Sequence, residues 1–169
     1  MYLHLVQGDL ASVGLTAKPI QGWRYWVRAT LIIGLAVLCC IAVGWSVWIL
    51  LGRKLPVYTI PPGSAGNRFF SMCVVAPVRE EFIYRLALCV PLAGLSRPWA
   101  VVTISGLAFG ALHVVCGNPS PENLVGGFFL AWAFLKSGSI YVPVLLHSLG
   151  NFVAWAGQLA AWYWLQGMK

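Results

Sequence analysis

The amino-acid sequence predicts an all-α protein: a polytopic membrane helical bundle of about five transmembrane or membrane-embedded helices. Two observations carry that expectation. Of the 169 residues, 60% are hydrophobic and only 9% are charged, against roughly 25% charged in soluble domains. The apolar residues also fall in long runs divided by short polar turns, and a bilayer-spanning helix needs about 20 mostly apolar residues. The length suits a single membrane-embedded domain over residues 1–169.

The segments follow in order. Residues 1–28 read as an N-terminal tail or a short interfacial segment, and the first 22 lack the basic start, apolar core and cleavage site of a secretory signal. Residues 29–51 carry no charge and form the clearest span, too long for a signal core. Hydrophobicity on all sides leaves this segment only lipid or packing contacts. The loop "GRKLPVYTIPPGSAGNR" has the Pro and Gly content that ends helices. The second span, 69–95, contains "PVREEFIYRLALCVP", and "SRPW" turns into the third, 99–116. After "GNPSPEN", residues 124–135 are short for a span, and either extend into their flanks or lie as a buried partial helix. Residues 140–165 are long enough to cross with tilt, with Pro143 near the start where proline is tolerated. Trp23, Trp26, Trp99, Trp162 and Trp164 lie near segment ends, as interfacial aromatic belts do.

The formal charge of +7 does not make a nucleic-acid surface. Lys18, Arg24, Arg28, Arg53, Lys54 and Arg68 flank the first apolar segment, as cations bordering a membrane span do, so no nucleic-acid partner is expected. Cys39, Cys40, Cys73, Cys89 and Cys116 all lie in apolar segments without CxxC or Cys/His ligand spacing, and read as small hydrophobes.

Ionisable groups at membrane depth cost at least about 2.5 kcal/mol each on insertion scales, which makes them functional candidates. They are Arg79, Glu80, Glu81 and Arg85 in the second span, His113 in the third, and His147 with Asn151 in the last. Glu81 and Arg85 are four residues apart and share a helix face, with the acid in the favourable N-terminal position. Glu80 lies about 140° round the helix from Arg85 and points elsewhere, free to act as a general base. His147 and Asn151 share a face, as do Phe109 and His113. Burying these polar faces together would make a cavity able to position a water and bind a developing oxyanion. Arg79 either attracts a substrate carboxylate or extends to the interface.

"EEFIYR", "FGALH" and "HSLGN" fit EExxxR, FxxxH and HxxxN in that order. Together they resemble the CAAX protease and bacteriocin-processing (CPBP, or Abi) family of glutamic intramembrane endopeptidases. The resemblance covers a catalytic core of about residues 69–155. It implies Glu80 as the base that activates water, His113 as a holder of that water, and His147 with Asn151 as the oxyanion site. Glu81 and Arg85 would be the supporting ion pair. The chain has "YRL" where many relatives have Phe-Arg-Gly. The implied substrate is a membrane-anchored or hydrophobic peptide or protein, such as a prenylated C-terminal tail, a bacteriocin leader or a sorting tag. The resemblance implies no cofactor and no metal, and suggests a multi-pass protein of a prokaryotic cell membrane.

Two alternatives stay open on the residues. Glu80, His113 and His147 could bind zinc, since two histidines and a carboxylate suffice. A non-enzymatic membrane protein, either a proton-coupled transporter or an immunity or binding partner, could use the same groups as a proton relay. There is no HExxH, no serine-protease motif, and no aspartate except Asp9, which lies outside every span.

Overall fold

The computed structural model describes residues 9–53, 57–118 and 121–167. It is all-helical, with five helices and no strand among these residues. Helix α1 is Trp23–Leu50, α2 runs over residues 62–93, α3 is Pro98–Val115, α4 is Pro121–Ser137 and α5 is Tyr141–Gly167. Pro62 and Pro98 each sit at the first helical turn. There the missing N–H costs no hydrogen bond and the fixed φ suits the helix.

The predicted segments match these five helices, with α1 and α2 starting six and seven residues earlier than expected. Among the described residues, only α1 and α3 are long and apolar enough to cross a membrane by length and composition alone. Helix α2 is diluted by its five charged residues, and α5 by His147, Ser148, Asn151 and Gln158.

Of the expected tail or interfacial segment, residues 1–8 lie outside the described residues, and residues 9–22 pack on the bundle. They form a strap with one 3-10 turn at Ala11–Val13, docked on the corner between α4 and α5. The Ile20 N–H donates to the Ser137 carbonyl at 2.9 Å, and the Ile140 N–H donates to the Gly14 carbonyl at 2.8 Å. Gly14 has φ +81°, and a Cβ there would lie 2.6 Å from the Phe134 ring, so only glycine fits.

The core lies between α2, α3, α4 and α5. Cys89, Val101, Ala131, Phe134 and Ile140 form its apolar centre. Helices α3 and α4 approach closely because Gly106 and Gly127 face the partner helix. A Cβ on Gly106 would lie 2.5 Å from the Phe128 ring, and one on Gly127 would lie 2.8 Å from Phe109. Small residues permit this approach in membrane bundles, where dispersion contacts drive association. Helix α1 joins the bundle only at its N-terminal end, where Trp26 is buried against Ala133 and Val142. Beyond Thr30 its large side chains, including Leu31, Leu35, Leu38, Trp45 and Trp48, are exposed.

Helix α2 is continuous but irregular. It winds as a π-helix over Ser71–Val75 and again over Phe82–Cys89. Each wide stretch ends two residues before a proline, Pro77 and Pro91. An internal proline supplies no N–H and clashes with the carbonyl four residues back. Widening the turn accommodates it without ending the helix, and such π-bulges cluster at functional sites.

Candidate active site

The two glutamates of α2 occupy different surroundings. Glu81 and Arg85 are wholly buried, and the Arg85 Nε donates to Glu81 Oε2 at 2.6 Å. A second guanidinium nitrogen donates to the Ser105 hydroxyl of α3 at 2.6 Å. Glu81 Oε1 lies 2.9 Å from His147 Nδ1 on α5. A buried carboxylate is tolerable only when paired and hydrogen-bonded, and Glu81 is. The sequence spacing identifies the pair; its links to Ser105 and His147 were not anticipated. Ser105, Phe109 and His113 stand at successive intervals of four on α3, and that stripe was the available signal for Ser105.

Glu80 lacks such support. Its Oε2 is buried and has no hydrogen-bond partner. Three groups surround the carboxylate just beyond hydrogen-bond distance. His113 Nε2 is 3.8 Å and His147 Nε2 is 3.9 Å from Oε2, while the exposed Arg79 guanidinium is 3.8 Å from Oε1. Separations above about 3.5 Å between polar atoms are those a water bridges. Arg79 thus stands at the mouth of the site rather than away from it.

The ring orientations follow from what each Nδ1 faces. His113 Nδ1 lies 2.8 Å from the Phe109 carbonyl, a pure acceptor, so Nδ1 carries the proton. His147 Nδ1 faces the Arg85-bound carboxylate of Glu81 and carries its proton for the same reason. Both rings therefore turn Nε2 towards Glu80. Arg79 and Arg85 balance the two glutamates in formal charge. The Phe109 ring stacks on His113 at 4.3 Å and meets His147 edge-on at 5.7 Å, so it fixes both planes. Gly127, against Phe109, leaves room for it.

Asn151 is held by the irregular backbone of α2. The Ala76 N–H reaches back five residues to the Ser71 carbonyl, and Pro77 has no N–H to give. The Met72 carbonyl therefore lacks its usual helical donors, and Asn151 Nδ2 donates to it at 2.7 Å. The second hydrogen on Nδ2 remains for another acceptor. One turn further along α5, the Trp155 indole donates to the Ala65 carbonyl at 3.0 Å and ties α5 to the start of α2. The Met72 anchor was not anticipated, because only the change of helical register frees that carbonyl.

The structure thus brings Glu80, His113 and His147 to one point, with Glu81 and Arg85 behind His147 and Asn151 one turn further along α5. Among the described residues, no group of three or more His, Cys, Asp or Glu side chains is arranged to hold a metal ion. A family model described as type II CAAX prenyl endopeptidase Rce1-like matches residues 62–153, from the first residue of α2 to just past Asn151. No curated protein and no solved structure matches the chain.

Proposed function

We propose, from the chain's membership of the type II CAAX prenyl endopeptidase Rce1-like family of integral membrane proteases, that it is a glutamic endopeptidase acting on a membrane-associated peptide or protein. Glu80 is the base, Asn151 and His147 are the oxyanion site, and residues 69–155 are the catalytic unit in this reading. The observation that carries this reading is the unpartnered Glu80 Oε2 facing two imidazole nitrogens.

In this mechanism a water sits between Glu80 Oε2 and His113 Nε2. Glu80 takes one proton as the water oxygen attacks the scissile carbonyl carbon. The carbonyl oxygen becomes an oxyanion and accepts from the free Asn151 N–H and from His147 Nε2–H. Donors fixed in advance in a dry site stabilise this charge most. Glu81 secures His147 in the doubly protonated form this requires, and Arg85 and Ser105 secure Glu81. Glu80 then passes its proton to the departing amine, which restores the carboxylate. The substrate we favour is a hydrophobic or prenylated C-terminal tail that enters from the bilayer beside Arg79.

The test is cleavage by the purified protein in detergent. A prenylated or hydrophobic tail peptide should be cut internally, and exhaustive chelation should leave the rate unchanged. Failure to cut any such peptide would contradict the proposal. Loss of cleavage on chelation, with recovery on adding zinc, would favour zinc chemistry on the same residues instead.

A further inference from the structure

A second feature of the molecule lies where α1 departs from the bundle, and it shares no residue with the Glu80 cluster. An open groove of about 570 Å³ separates the N-terminal end of α1 from α4. Arg24 and Arg28, four apart on one face of α1, line it together with Tyr25 and Trp132, and Ile32 and Ile33 form its deeper wall. Lys136 adds a third cation, its ammonium 5.4 Å from the Tyr25 ring and 5.0 Å from the Trp132 ring. Among the described residues, no carboxylate pairs with any of the three.

The groove on the other side of α1 is a useful contrast. It runs between α1 and α5 past Val27, Leu31, Val142 and Leu146, and no charged residue lines it. Both grooves suit hydrocarbon, but only one adds cations. Residues 29–50 of α1 carry no charge, so Arg24 and Arg28 mark the level where the apolar slab ends. Ile32 lies one turn deeper than Arg28, about 6 Å along the axis. Cations at headgroup level above an apolar wall match a molecule with an anionic head and an acyl tail. Guanidinium forks bind phosphate oxygens bidentately, and Tyr and Trp rings favour the interface.

We infer that this groove binds an anionic phospholipid, with its phosphodiester between Arg24, Arg28 and Lys136 and an acyl chain along Ile32 and Ile33. Free phosphate would leave the apolar wall unused, and a zwitterionic lipid would leave the cations uncompensated. The lipid would fill the wedge that α1 leaves on departing from the bundle and fasten its base to α4.

The test uses the full-length protein in detergent, with bound lipid read by native mass spectrometry. Phosphatidylglycerol should bind in preference to phosphatidylcholine of the same chains, and glycerol 1-phosphate should not displace it. Changing Arg24 and Arg28 together to Gln should weaken phosphatidylglycerol binding about thirtyfold, at roughly a fivefold factor per interfacial cation. Phosphatidylcholine binding should not change. Arg53→Gln with Arg97→Gln removes the same charge elsewhere and should keep the preference. If the groove variant does not purify, Lys136→Gln should give a loss of about fivefold. An unaltered preference in the groove variants, an equal loss in the distant control, or displacement by glycerol 1-phosphate would overturn the proposal.

Discussion

Helices α1 and α2 are both apolar segments of a membrane protein, yet they differ in almost every physical respect. Helix α1 is a regular α-helix of 28 residues, uncharged beyond Arg28, with most of its side chains exposed beyond Thr30. Helix α2 changes register twice, contains Pro77 and Pro91, and carries five charges, two of them fully buried. The helix that hydropathy reads most easily supplies no candidate catalytic group. The one that departs from regular geometry supplies the carboxylate and, through Met72, the anchor for Asn151. Regularity suits a lipid contact, while a site needs polar groups that the helix itself does not satisfy.

That contrast can be broken by paired substitutions. Arg85→Met leaves Glu81 buried without its guanidinium and should destabilise the fold by about 3–5 kcal/mol. Leu38→Ala, on the exposed part of α1, should change stability by no more than about 0.5 kcal/mol. Reversible unfolding in mixed detergent measures both, and equal losses would erase the distinction. A smaller effect should follow Gly127→Ala, whose Cβ would meet Phe109 at 2.8 Å. Such overpacking costs about 1–3 kcal/mol, and cleavage should fall with it because Phe109 positions both imidazoles.

Pro77→Ala sharpens the comparison at the level of the backbone. It supplies an N–H five residues beyond Met72, which competes with Asn151 for that carbonyl. The expected result is a drop in kcat of about tenfold with KM unchanged, less than the 10²–10³ of removing an oxyanion donor outright. An unchanged kcat would show that the irregular backbone does not hold Asn151 for catalysis.

Much of this arrangement is legible in the sequence because helical spacing fixes faces. The interval of four joins Glu81 to Arg85, His147 to Asn151 and Phe109 to His113, and it sets Glu80 apart. The five helices are legible for a similar reason, since each apolar run ends at Pro, Gly or charge. What could not be read depends on contacts across the chain or on a change of period. The strap over residues 9–22 is held by backbone bonds at Gly14 and Ile20, to which side-chain pattern gives no clue. The Ser105–Arg85 bond joins residues 20 apart. The free Met72 carbonyl exists only because α2 winds more loosely there, and a 3.6-residue period does not reveal it. The early start of α1 follows from Arg24 and Arg28, which read as flanks although the helix continues through them.

The separation of the two glutamates is the centre of the account, and one pair of variants tests it most directly: Glu80→Gln and Glu81→Gln, each measured for peptide cleavage and for thermal stability. Glu80→Gln should lower cleavage at least about a hundredfold with thermal stability preserved, because Oε2 makes no hydrogen bond that the change would remove. Glu81→Gln should lower stability, because Arg85 and His147 both depend on its charge. Undiminished cleavage by Glu80→Gln, in a protein as stable as the parent, would contradict the account.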